Sequence, residues 1–345
     1  METLNTPPPQ PNPFQHLLGV ASGYILSCSL WVAAELDVAS HLGDGPKSAT
    51  ELARLTHANP DILARVLRCL AMTGIFVETA PATFGLTPAA ELLRKDTPQS
   101  QRDSVIWLAD PFHHRMFGDL LHSTRTGQPA VEHATGKKAF EYFADDEIEG
   151  KRFHAAMTSF SASQIAALLE AYDFSSCKSL IDVGGGHGHL VCEVLEKYPQ
   201  IKGVVFDVGS ILGDTRGKID QRGLSSRCQA VDGDFFQSVP AGFDAYLMKS
   251  IIHDWNDEKA GVILKNCRQA LDGNPNGKLL LVEMVRPGGN EPHFSKVLDI
   301  EMLIFPGGRE RSEEEFKTLL ANNGFRLTRI FPTKSPMCVI EGVPA

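Results

Sequence analysis

The feature that most constrains this chain is its second half, where short apolar runs alternate with amphipathic stretches from Asp173 onward. The runs are "SLIDVG", "GVVFDV", "CQAVDGDFF", "AYLMKSII", "KLLLVEMV", "RLTRIFPT" and "MCVIEGV". Strands that are apolar without interruption and alternate with helices belong in a parallel sheet covered on both faces. The fold class is therefore α/β, with a doubly wound, mostly parallel sheet. The short turn "KSP" makes the last two runs an antiparallel C-terminal hairpin.

The first half reads differently. Residues 1–13 are proline-rich and read as a flexible tail. Residues 14–43 read as helix, with apolar residues at three- and four-residue spacing from Leu17 to Leu36. Ser48 and Glu51 then form a capping box for a short helix. A turn at "HANPD" leads to a second helix ending at Gly74, and "IFVETAPATFGLT" reads as a hairpin. Helix, turn, helix and β-wing make a winged-helix module inside an N-terminal domain, 14–110. Two uses are open for it, DNA binding and dimerisation. Its second helix offers Arg65 and Arg68 as its basic residues amid Ile62, Leu63, Val66, Leu67 and Leu70, which weighs against DNA. Residues 111–172 read as linking helices rich in aromatics, Met and His, and 173–345 as the α/β domain that carries the sheet.

Charge narrows the partners further. A formal net charge of -9 disfavours nucleic acid, which needs clustered Lys and Arg. Seven scattered cysteines without a C-x-x-C pair suit free thiols in a reducing cytoplasm. No secretory signal precedes the fold, and no window approaches the ~20 apolar residues of a membrane span. The expected location is cytoplasmic, with no membrane partner.

The chemistry gathers at strand ends. "DVGGGHG" follows the first strand of the second half, and its Gly184 and Gly186 let backbone approach a ligand there. Asp207 ends the second strand, 21 residues after Gly186, where a nucleotide fold places its ribose acceptor. Asp234-Phe235 ends the third, a carboxylate for an exocyclic amine beside a ring that can cover a base. At the fourth, Tyr246 to Ile252 reads as buried strand and stops at His253-Asp254-Trp255. Histidine, with a pKa of about 6.5, is the side chain that most easily carries a proton near neutral pH, so at such an edge it is a candidate base. His253, Asp254 or Asn256 could equally cap the helix that follows. Glu283, ending the next strand, and Glu310, before a helix capped by Ser312 and Glu315, are the acids able to orient that base.

These motifs, with "MKSIIHDWNDE", "VEMVRP" and "GGRERSEEEF", resemble class I S-adenosylmethionine-dependent methyltransferases. More narrowly, the chain resembles small-molecule O-methyltransferases of the caffeic-acid and hydroxyindole type, including microbial natural-product enzymes, over nearly its whole length. The resemblance implies a Rossmann-like methyltransferase sheet and an N-terminal helical and winged-helix dimerisation domain. It implies S-adenosyl-L-methionine as cofactor and S-adenosyl-L-homocysteine as product. Gly184 would line the cofactor, Asp207 hold the ribose, Asp234 and Phe235 bracket the adenine, and Lys249 approach the cofactor. His253 would be the general base, flanked by Glu283 and Glu310. Phe153, Met157, Phe160, Asp254, Met302 and Phe305 would surround a small-molecule acceptor, and no metal is expected.

By the same resemblance the protein is a homodimer through its N-terminal helices, methylating a phenolic or enolic hydroxyl of a secondary metabolite. Relatives on this fold that use the sulfonium without transferring methyl, in pericyclic, decarboxylative or hydroxylating reactions, supply the alternative. His187 and His189, in a loop where many plant relatives have smaller residues, are expected to be local or solvent-facing.

Overall fold

The computed structural model describes residues 12–345, so residues 1–11 of the expected tail lie outside it. The chain forms two compact units, one ending at His114 and one spanning Arg115–Ala345.

In the first unit the apolar stretch 14–43 is three helices rather than one: Pro13–Ala21, Gly23–Glu35 and Val38–His41. The Ser22 hydroxyl turns back to the Leu18 carbonyl at 2.7 Å, and the next helix sets off at 44° to the first. Asp37 takes a left-handed φ of 55°. Side-chain periodicity reports a face, not the continuity of backbone hydrogen bonds, so it passes over such breaks. Phe14, Leu17, Val20 and Tyr24 are 62–71% exposed in this unit. Among the described residues no single helix is long and apolar enough to cross a membrane, although the bent first pair reaches that composition together.

The winged-helix module is present. Ser48 accepts from the Glu51 N–H and starts the helix Ala49–Thr56. Asn59 caps Pro60–Ala71, whose proline at the first position has no N–H to leave unpaired. Strands β1 (Lys47–Ser48), β2 (Phe76–Ala80) and β3 (Thr83–Leu86) pair in the order β1-β3-β2 over a core that includes Leu52, Leu67, Leu70 and Phe84. Arg68 is spent on an ion pair with Glu78 of the wing.

The second unit holds a seven-stranded sheet of β4 (Ser179–Val183), β5 (Lys202–Asp207), β6 (Cys228–Asp232), β7 (Ala245–Lys249), β8 (Lys278–Met284), β9 (Phe325–Pro332) and β10 (Met337–Pro344). Their order is β6-β5-β4-β7-β8-β10-β9, parallel from β6 to β8. β10 lies antiparallel between β8 and β9. Successive residues alternate faces: Leu180, Leu247, Leu280 and Val282 join one apolar layer, and Ile181, Tyr246, Leu279 and Leu281 the other. Each fully buried Leu or Val contributes about 1.5–3 kcal/mol, so the uninterrupted apolar runs both select the parallel sheet and make it the rigid support of the site.

Candidate active site

The chain leaves β4 toward β5 on one side and returns through β7 on the other. Because β4 and β7 are hydrogen-bonded neighbours, the loops after them open into one crevice at the topological switch point. The glycine loop borders it on one side and His253 on the other.

On the histidine side, β7 ends at Lys249, three residues before the expected Ile252. Ser250 adopts a left-handed φ of 55°, breaking the strand and turning the chain into a short 3-10 turn, Ile252–Asp254. Glu283 is fully buried, and its Oε1 accepts the backbone N–H groups of Ile251, Ile252 and His253 at 3.2, 2.9 and 3.4 Å. Its Oε2 lies 3.7 Å from His253 Nδ1. That nitrogen is bonded to Glu310 Oε1 at 2.7 Å, while Nε2 lies 3.6 Å from Asp254 Oδ1, beyond hydrogen-bond reach. The helix Asp257–Ala270 is capped by Asn256, so neither His253 nor Asp254 serves as its cap.

Burial works to lower the His253 pKa, but Glu283, Asp254 and Glu310 outweigh it and push it up to about 10. Burial pushes Asp254 up to about 7 and raises Glu283, each against the pull of His253. The corner thus favours a cationic imidazole among acids.

The glycine side is built from backbone. Gly184, Gly186 and Gly188 have φ of 73°, 55° and 75°. A Cβ at 184 would run into Ile251 and touch Phe235, whereas one at 186 would enter open space. Three strand ends therefore meet around Gly184, and the loop is a cradle with room above Gly186. Asp207 accepts from the Gly186 and Val208 N–H groups at 2.8 and 2.7 Å, and Asp234 from Phe236 at 2.8 Å, with Phe235 beside it. Burial raises the Asp207 pKa.

Asp182 beneath the loop is buried and pushed up to about 7 by burial, against the pull of Lys249. Lys249 is itself lowered by burial and interacts with Asp182, Glu283 and Asp254, linking the two sides. His187 and His189 are not solvent-facing: both are partly buried, and His187 Nδ1 and His189 Nε2 have no hydrogen-bond partner among the described residues. The His187 ring lies 5.7 Å from that of His154 on the helix Glu147–Ala171. Open space over a glycine, two strand-end carboxylates, an aromatic ring and unpartnered buried nitrogens fit a polar nucleoside-bearing ligand.

Aromatic rings continue the wall. Phe153, on the long helix Glu147–Ala171, stacks on Phe143 at 5.0 Å, and Phe143 faces Phe305 at 6.3 Å. Phe140 bridges Phe153 to Trp255, which meets Phe235 and Phe236. Met302 and Phe305 are buried; Met157 and Phe160 are half-buried farther along the helix of Phe153. Among the described residues no group of three or more His, Cys, Asp or Glu is arranged to hold a metal ion.

Sequence reasoning missed Arg311, Asp182, Phe143 and the role of Gly308. A Cβ at 308 would run into the His253 carbonyl, so a glycine lets the Glu310 loop press onto the His253 turn. The paired glycines of "FPGGRER" were the available signal.

Residues 117–326 match the family model of the O-methyltransferase domain, and residues 18–96 that of the O-methyltransferase dimerisation domain. The chain is 40% identical over 328 residues to the phenazine O-methyltransferase PhzM of Lysobacter antibioticus, covering 95% of each chain. CalO1, a methyltransferase in calicheamicin biosynthesis solved in its S-adenosylhomocysteine-bound form, is 33% identical with a TM-score of 0.87, covering 97% of this chain and 100% of that one. NcsB1 of neocarzinostatin biosynthesis, solved with S-adenosylmethionine and 2-hydroxy-5-methyl naphthoic acid, is 31% identical with a TM-score of 0.77, covering 93% and 96%. The chain belongs to the O-methyltransferase family, and S-adenosylmethionine is its cofactor.

Proposed function

We propose that this enzyme methylates a phenolic or enolic hydroxyl of a small, fused-ring aromatic metabolite, with His253 as general base. The observation that carries the reading is the 2.7 Å bond from His253 Nδ1 to Glu310 at the mouth of the crevice, which leaves Nε2 as the nitrogen for the acceptor.

S-adenosylmethionine, when bound, supplies an electrophilic methyl group on a sulfonium sulfur. Gly184 and Gly186 give it room, Asp207 accepts from the ribose hydroxyls, and Asp234 with Phe235 receives the adenine. Lys249 approaches the cofactor and links the acids of the two sides. The acceptor lies against Phe153, Met157, Phe160, Met302 and Phe305, its hydroxyl toward His253 and Asp254.

His253 Nε2 takes the hydroxyl proton while Nδ1–H remains on Glu310, and three carboxylates stabilise the imidazolium formed. A base pushed up to about 10 matches a phenol of pKa about 10, so the proton moves with little free-energy change. Its neutral fraction grows as pH rises from 7 toward 10, and the rate should rise with it. A reaction that leaves the methyl in place has no evident use for such a base. The acceptors in the names of PhzM and of the NcsB1 complex, a phenazine and a hydroxynaphthoic acid, support the fused-ring class. The exposed Phe14–Tyr24 face and the dimerisation domain support a homodimer.

The test is transfer of isotopically labelled methyl from S-adenosylmethionine to a panel of phenols, hydroxyphenazines and hydroxynaphthoates. Label should appear in an extractable product and fall by about 10²–10⁴ in His253→Ala, with cofactor affinity kept. Equal transfer by the variant would remove His253 as base.

A further inference from the structure

Arg311 is the largest fully buried side chain among the described residues, 1% exposed. It is held by Asp257 Oδ1, which accepts from Nε at 3.0 Å and from Nη2 at 2.7 Å. Its remaining donors go to backbone: Nη1 to the Ile252 carbonyl at 3.0 Å and that of Arg309 at 3.5 Å, and Nη2 to that of Trp255 at 2.8 Å. The Ile252 and Trp255 carbonyls flank His253, while Glu283 holds the N–H groups of Ile251, Ile252 and His253. The turn that carries the imidazole is thus clamped by two buried charges, an acid on its donors and a guanidinium on its acceptors.

The clamp is continuous with the rest of the corner. Arg311 pairs as an isolated parallel bridge with Val285, just past the β8 strand of Glu283, and its carbonyl accepts the Arg286 N–H at 2.8 Å. Arg309 donates its N–H to the His253 carbonyl at 2.8 Å. Glu310 and Arg311 are adjacent in sequence, and one reaches the ring while the other reaches the backbone beneath it.

We propose that Arg311, anchored by Asp257, is a positioning residue that fixes His253 against Glu310 by clamping the 252–255 backbone. This rests on His253 being the base. Arg311 bonds to Asp257 and to backbone carbonyls and not to the imidazole, so it acts through the turn that carries the ring. Lysine cannot replace it, because one ammonium on a flexible stem does not reproduce a planar fork bonded to four acceptors. Asp257 is 62% exposed, so its substitution loosens the anchor without opening the core.

The first readout uses the full chain, labelled with ¹⁵N-histidine, and needs no acceptor. A proton held between His253 Nδ1 and Glu310 should give a downfield imidazole N–H resonance, assigned by its loss in His253→Ala. Arg311→Lys and Asp257→Asn should broaden or abolish that resonance while calorimetric affinity for S-adenosylmethionine changes less than threefold. Steady-state assays with the acceptor from the labelled-methyl panel should show kcat lowered about tenfold or more, by loss of alignment. The pH midpoint should move toward acid, as the Glu310 hydrogen bond that helps raise His253 is loosened, and in a His253→Ala background Asp257→Asn should change the residual rate less than twofold.

An unchanged resonance in a folded Asp257→Asn protein would overturn the proposal, as would an equal kcat loss with and without His253. Full activity of His253→Ala alone would instead sink the base, a failure separable from that of the clamp.

Discussion

The two sides of the crevice are built by opposite means. The glycine side is shaped by backbone: three positive-φ glycines, two of them, Gly184 and Gly188, with bulky neighbours where a Cβ would stand. The histidine side is shaped by side chains: Glu283, Glu310, Asp254, Asp257 and Arg311 hold one turn and one ring between them. A backbone-built pocket is sensitive to a single added carbon. A charge-built corner accepts changes in volume but responds to the loss of one charge.

The largest expected consequence of that contrast lies at Gly188, where a Cβ would crowd Val205 and φ is 75°. Gly188→Ala should cost about 1–3 kcal/mol of loop strain, weakening S-adenosylmethionine affinity by about 10–100-fold in calorimetry. Its kcat at saturating cofactor should stay within about threefold of wild type, the reverse of His253→Ala. A variant that binds normally but turns over slowly would break the division.

A smaller effect is expected at Glu310. Three carboxylates outweigh burial to raise His253 above its ordinary 6.5 to about 10. The stability this supplies is complete below about pH 6.5 and is lost as pH rises through about 10. Removing one carboxylate weakens the hold on the proton. Glu310→Gln should therefore move the midpoint of the pH–rate profile toward acid and lower the limiting rate about tenfold. A midpoint that stayed in place would show that the remaining acids dominate.

The smallest effect concerns Asp182, which lies under the glycine side yet carries a perturbed charge. Its folded pKa of about 7 exceeds the unfolded value of about 3.9. The folded state therefore holds the proton more tightly, and this contribution is full below about pH 4 and fades as pH rises through 7. Thermal melts from pH 5 to 8 should lose a few degrees more in wild type than in Asp182→Asn. Parallel curves would place the pH sensitivity elsewhere.

The same contrast explains what could be read in the sequence. Apolar runs and glycine spacing act through local backbone preference, so the strand order of motifs, the glycine loop, Asp207 and Asp234-Phe235 were legible. His253, Glu283 and Glu310 were legible as motif positions, but their convergence depends on contacts between distant segments. Arg311 stands in "GGRERSEEEF", a charged run that reads as solvated surface; tertiary partners alone bury it. The turn at Ser250 was hidden because a left-handed serine has no compositional signal, and the break at Asp37 for the same reason. The inward placement of His187 and His189 depends on the fold of the loop as a whole.

The position of β10 between β8 and β9 has a consequence for biosynthesis. When β8 leaves the ribosome, its neighbour on one side, β7, is already made, but its antiparallel neighbour follows two helices and another strand later in the chain. Until then the "LLLVEM" edge that carries Glu283 is open to any passing strand, the situation in which nascent sheets aggregate. Chains that stall before Met337 would expose that edge permanently, so quality control of this enzyme turns on its last few residues as much as on its catalytic ones.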